Sequence, residues 1–157
     1  MCNGESNRPT FGGTIAVMSS DRLESSRSSS PDSIASSSSS TLSMSSYSLF
    51  FRNSDEHNRH TKAIFQIDDA QTYHALRSSR EVYMRVEKYG DLSNREAVPL
   101  HRFAMDFSKL PHRFQPNFEF ELPETLELGV SEKGVIGRQL SMMDECGCLA
   151  LGIIGYN

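Results

Sequence analysis

The chain has 157 residues, with sixteen Lys or Arg against twenty Asp or Glu, and hence a formal net charge of -4. That balance argues against electrostatic attraction of the whole protein to nucleic acid or anionic lipid and leaves only local patches for such partners. No stretch approaches the roughly eighteen apolar residues of a membrane span, Met1 to Arg8 lacks the basic-then-apolar order of a secretory signal, and Cys2, Cys146 and Cys148 give no disulfide framework, so a cytoplasmic protein is expected, with the nucleus as an alternative.

Seventeen of the thirty residues from Ser19 to Ser48 are serine. Such a tract cannot bury enough apolar surface to offset its ordering entropy, so residues 1–53 are expected to form a disordered Ser-rich arm and residues 54–157 one compact domain. Arg22 stands three residues before Ser25 and Arg27 three before Ser30, which Pro31 follows directly. Both serines are candidate phosphorylation sites, each phosphate adding close to two negative charges. Phe11, Ile15 and Val17 before the tract, and Tyr47, Leu49, Phe50 and Phe51 after it, are apolar outposts. The second group is expected to dock on the domain edge.

From Lys62 onward apolar residues recur with period two, the mark of half-buried strands. Ala63, Phe65 and Ile67 share one face. Val82, Met84 and Val86 do the same, with Tyr83, Arg85 and Glu87 opposite, and Phe103, Met105 and Phe107 repeat the pattern. Phe118, Phe120 and Leu122 alternate with glutamates up to Pro123, after which Leu126, Leu128 and Val130 resume the alternation. Proline has no ladder donor, so this segment is expected at a bulge or a sheet edge. Val135–Met143 and Cys148–Tyr156 flank Asp144-Glu145-Cys146-Gly147, a link suited to a hairpin, and Ser141 in the first arm is a further candidate phosphorylation site. The C-terminal run can complete the sheet in that hairpin or add to the open edge of a second copy.

Two short helices fit between strands. Asp69 can cap one through Leu76, and Ser93 with Glu96 reads as a capping box stopped by Pro99. The expected class is α+β, a small and mainly antiparallel sheet with one or two short helices behind the arm.

Catalytic motifs are missing: there is no phosphate-binding glycine loop, HExxH, GxSxG or paired CxxC. His57 and His60, or Cys146 and Cys148, would each supply half a zinc site, and a turn with one buried and one exposed thiol accounts for the cysteines. Asp68-Asp69 and Asp144-Glu145 sit where a helix cap and a turn need them. No catalytic residue, metal or cofactor is expected. A small enzyme would have to gather dispersed groups such as His101, Asp106 and His112.

Charge is unevenly spread. From Arg77 to Arg113 there are eight bases, including Arg77, Arg80, Arg85, Lys88, Arg102, Lys109 and Arg113, against five acids, whereas Phe114 to Glu132 holds five glutamates and no base. The seven named bases are the expected interaction residues, on a positive face opposite a negative one, an arrangement suited to self-association or a phosphate-bearing partner. Aromatic stacking partners among them are limited to Tyr83 and Tyr89, which makes a nucleic-acid role weak.

Leu110-Pro111-His112-Arg113-Phe114, then Lys133-Gly134-Val135-Ile136, then Leu140-Ser141-Met142-Met143-Asp144 resemble the second half of the matrix proteins of animal rhabdoviruses, over about thirty-five residues. The resemblance implies a small α+β matrix fold, self-assembly beneath a membrane, peripheral membrane contact, a nucleocapsid as protein partner and a role in budding, in the virion or at the inner membrane face. The expected function is thus that of a non-enzymatic structural protein. The alternative is a cytosolic or nuclear regulatory adaptor whose tail is switched by phosphorylation.

Overall fold

The computed structural model describes residues 13–20, 44–55, 60–90 and 98–157. Over these residues the chain forms β1 (Thr14–Ser20), β2 (Tyr47–Asn53), β3 (Thr61–Gln66), α1 (Ala70–Ser78), β4 (Val82–Val86), β5 (His101–Met105), a 3-10 turn (Phe107–Lys109), β6 (Asn117–Glu121), β7 (Gln139–Asp144) and β8 (Gly147–Tyr156). All eight strands belong to one sheet in the order β5-β4-β7-β8-β1-β2-β3-β6, and every neighbouring pair is antiparallel. The class is the α+β, mainly antiparallel one read from the alternation. The capping-box helix at Ser93, together with Phe11, Ser25, Ser30 and His57, lies outside the described residues.

The boundary at residue 53 is corrected. β1 and β2 both precede it, yet β1 lies between β8 and β2 near the sheet's centre. Serine density over the window hid their alternation: Ala16 and Met18 in one strand, and Tyr47, Leu49 and Phe51 in the other, are buried in the core, while Val17, Ser19 and Arg52 face out. Two strands thus flank the serine tract, and of the apolar outposts Ile15, Tyr47, Leu49, Phe50 and Phe51 are buried, whereas Val17 is exposed.

The inner face gathers one continuous core from every strand. Phe65 is its hub, fully buried, stacked on Phe118 at a ring separation of 4.9 Å and meeting Phe107 edge-on at 5.5 Å. Phe107 follows β5, at one edge of the sheet, and also meets Phe120 of β6, at the other edge, at 5.3 Å. His101, which opens β5, lies 3.2 Å from Glu124 just beyond β6. The sheet therefore curls until its two edge strands face each other through side chains. With eight antiparallel neighbours in a row, the first and last strands run in opposite directions, the sense such a closure requires.

Helix α1 packs Tyr73 and Leu76 into this core, and the Tyr73 hydroxyl donates to the Pro111 carbonyl at 2.7 Å. Its start is the one the sequence indicated: Asp69 Oδ1 accepts the Thr72 amide at 2.8 Å. Partial burial works against ionisation of Asp69, but hydrogen bonds from Thr72, Ser45 and Gln71 outweigh it and hold the carboxyl below its usual range.

Two strand expectations are corrected. Leu126–Val130 is not a strand. Beyond Pro123 the Leu126 amide donates to the Thr61 hydroxyl at 2.7 Å, and the segment folds back so that Val135 and Ile136 donate to Glu127 and Gly129. Leu128 is half-buried and Val130 faces solvent. β7 begins at Gln139 rather than Val135, because Gly137 takes φ +80° in a turn closed by Arg138 N–H on the Val135 carbonyl. Beyond it the hairpin holds: the two-residue turn Glu145-Cys146 joins Asp144 to Gly147, and Asp144 Oδ1 accepts the Cys146 amide at 2.8 Å. A bulge opposite Met142 and Met143 lets the consecutive residues Leu149 and Ala150 both reach the core. β8 is paired on both sides, by β7 and β1, so it offers no edge to a second copy.

Phe65→Ala is expected to cost about 3–5 kcal/mol in denaturant unfolding, whereas Glu121→Ala, on the solvent side of β6, should stay within about 0.5 kcal/mol. Equal effects would show the strand facing to be wrong. For Asp69 the sign follows from its depressed folded-state pKa: its contribution is complete above the unfolded value, about 3.9, and is lost as pH falls through the lower folded value. Asp69→Asn should therefore lose less stability between pH 5 and pH 2 than the parent chain, measured by urea unfolding across about that range.

Candidate interaction surface

Register brings Arg102 of β5 directly opposite Arg85 of β4, and Arg85 opposite Ser141 of β7, all on the outer face. Two guanidinium groups at one cross-strand position repel each other. Each is drawn aside by a different neighbour. Arg85 Nε lies 3.1 Å from Glu87 Oε1, and the Arg102 guanidinium carbon sits 4.0 Å from the centre of the Tyr83 ring. Glu87 is only 5 % exposed and also accepts the Ser141 hydroxyl at 3.2 Å. The carboxylate is thereby matched by a charge and a hydroxyl donor, as a buried charge must be. Gln139 is buried beside them, and its Oε1 has no partner among the described residues.

Two clefts border this face. One, of 640 Å³, is lined by Tyr83, Arg85, Val98, Arg102, Asp144 and Glu145. The other, of 480 Å³, lies where α1 runs into β4 and includes Arg77, Arg80, Tyr83, Asp106 and Ser108. Glu81 and Tyr83 line both, and Glu81 holds the uncommon φ of +50° in the turn between them.

The seven expected interaction residues do not form one face. Arg77, Arg80, Arg85 and Arg102 border the two clefts, and Lys88 is exposed just after β4. Arg77 is partly engaged, since its Nε donates to the Leu110 carbonyl at 3.0 Å and a terminal nitrogen lies 3.0 Å from His112 Nε2. Lys109 pairs with Asp106 at 3.5 Å, and Arg113 is exposed in the loop beyond. The acidic segment is not a separate negative face either: Glu119 pairs with Lys62 at 3.2 Å, Glu121 with His60 at 4.0 Å, and Glu124 with His101. Counting charge along one segment missed these partners because they come from other parts of the chain.

His101, Asp106 and His112 are not brought together. His101 stacks on Phe103 and meets Glu124, His112 meets Arg77, and Asp106, its carboxyl held low by the Ser108 hydroxyl above all, is engaged by Ser108 and Lys109. Ser141 is corrected as a modification site, since it is 2 % exposed and its hydroxyl is committed to Glu87. Cys146 is exposed on the turn and Cys148 half-buried behind it.

Two residues were missed in the sequence. Glu87 looked like one more solvent-face charge. Arg138 fixes the loop before β7 through the carbonyls of Gly134 at 2.5 Å, Glu132 at 2.6 Å and Ser131, and through that of Lys88. No spacing signal marks a guanidinium whose acceptors are all main-chain carbonyls. No helix among the described residues is long and apolar enough to cross a membrane. Neither a protein-family model, nor a curated protein, nor a solved structure matches this chain.

Glu87→Ala is expected to destabilise by on the order of 3 kcal/mol, because it strands Arg85 and the Ser141 hydroxyl. Arg102→Ala should cost about 1 kcal/mol or less, the value of an exposed cation over an aromatic ring. Native protein incubated with a serine kinase should take no phosphate at Ser141 while urea-unfolded protein does, read by peptide mass spectrometry; labelling of the native form would contradict the burial.

Proposed function

We propose that this chain is a non-enzymatic, self-associating interaction protein of the matrix type, which holds an anionic surface through the outer face of β4 and β5. The observation that carries the reading is the placing of Arg102 over Tyr83, with Arg80 at one end of the face and exposed Lys88 and Tyr89 just beyond the other end of β4. Val98, 74 % exposed, borders the same cleft. Cations, an aromatic ring and an exposed aliphatic side chain side by side suit the polar–apolar boundary of an anionic bilayer, where each basic residue contributes about 1 kcal/mol near the surface. Glu81, Asp144 and Glu145 border the same clefts, so the attraction is local and falls quickly with salt. Nucleocapsid contact, the other activity implied by the matrix resemblance, would use the same exposed cations.

Co-sedimentation with phosphatidylserine vesicles tests the reading. The protein should pellet with them at low ionic strength and return to the supernatant as salt rises, and it should form lattices or filaments on the vesicle surface in electron micrographs. Arg80→Glu with Arg102→Glu should abolish pelleting while leaving the circular dichroism spectrum unchanged. Protein that stays in solution at low salt, or a double variant that still pellets, would end the matrix-type reading.

A further inference from the structure

The serine tract is tethered at both ends to one place. Ser20, the last residue of β1, pairs with Ala150. The adjoining Leu149 lines a 340 Å³ cleft with Met44, Ala75, Ser79, Arg80 and Cys146. Met44 is where the chain re-enters the described structure, and the next amide, that of Ser45, donates to the Thr72 hydroxyl of α1 at 2.9 Å. Ser20 and Met44, the described residues on either side of the tract, therefore both lie near the turn between α1 and β4. That turn presents Arg80, exposed and without a hydrogen bond or ion pair among the described residues, and Arg80 shares the neighbouring 480 Å³ cleft with Arg77. Of the two acids of that cleft, Asp106 is already engaged by Lys109 and Ser108, and Glu81 is exposed beside Arg80.

We propose that the Arg77–Arg80 cleft binds a phosphoserine of the chain's own β1–β2 connection, at Ser25. This goes beyond the surface reading above and does not depend on it. Ser25 lies five residues past Ser20, a span of at most about 17 Å when extended, and Arg22 at the third position before it gives a basophilic kinase its usual determinant. A phosphate brings close to two negative charges and three acceptor oxygens, which a guanidinium fork matches in pairs. Because donor and acceptor share one chain, the contact forms at an effective concentration on the order of millimolar, enough for two arginines that would hold a free phosphopeptide only weakly. The unmodified serine has no charge for the cleft to hold.

The test uses the full chain with phosphoserine installed at position 25 and follows its phosphorus resonance through a pH titration. The second ionisation should fall below the roughly 6 of a free phosphoserine and should not change on diluting the protein. Arg80→Ala should return it to the free value, whereas Arg113→Ala, which removes an exposed arginine elsewhere, should not. A free-like titration in the parent chain, or a lowered one that Arg80→Ala leaves alone, would overturn the assignment. A shift that disappears on dilution would assign the phosphate to a second copy and would overturn it equally.

Discussion

The ladder between β1 and β8 holds the molecule together. The order β5-β4-β7-β8-β1-β2-β3-β6 divides into two four-stranded halves, and among the described residues this is the strand pairing that joins them. It pairs residues near position 15 with residues near position 155, one of the longest sequence separations available to the chain. The strands approach closely at Gly152, where an added Cβ would stand 2.6 Å from the Val17 carbonyl oxygen and 2.9 Å from Met18 Sδ. Glycine is needed there because the Val17 carbonyl of the paired strand is backbone and cannot move aside for a Cβ. Contacts of such separation form late and slowly, so the two halves are expected to be joined near the end of folding.

Curling of the sheet brings the two open edges together through side chains. Phe107, carried past the end of β5 by the 3-10 turn, touches Phe65, Phe118 and Phe120 on the opposite side. The same curl leaves the outer face of β4 and β5 convex and polar. Arginine is well suited to that face: its long stem can lie along the sheet while its planar head stacks or pairs. Arg102 and Arg85 occupy the same cross-strand row and yet have different fates, one stacked and open, the other paired and half-covered.

The alternation of apolar residues made the inner faces of β3, β4, β5 and β6 legible, and Asp69 and the Asp144–Gly147 turn were legible from capping and turn chemistry. β1 and β2 were lost to the composition of their surroundings and to a weaker pattern of their own, since Thr14–Ala16 and Leu49–Phe51 are each buried three in a row where β3 and β4 alternate strictly. Leu126–Val130 misled for the opposite reason: its period is right, but the Thr61 hydroxyl captures the Leu126 amide that a ladder would need. The candidate surface was half legible. Local basic excess pointed to Arg80, Arg85 and Arg102, while the register that makes Arg85 a partner of Glu87 and Arg102 a partner of Tyr83 is fixed by pairings that no local window contains.

A serine-rich stretch between two central strands looks at first like a burden on the fold, and loop-closure entropy shows that it is a small one. Twenty-six residues separate Ser20 from Tyr47. Closing such a loop rather than a four-residue hairpin costs only about 1.7 kcal/mol, because the penalty grows as the logarithm of length. Burying Met18 alone offsets most of that, at roughly 1.5–3 kcal/mol for a side chain of its size. The two strands can therefore pair across a long insert whose last residues return to the body of the protein, with Met44 in the core and the Ser45 amide on Thr72. What it can alter is the place where its ends emerge, beside Arg80, so the chemistry of the tract and the electrostatics of the α1–β4 turn are coupled by position.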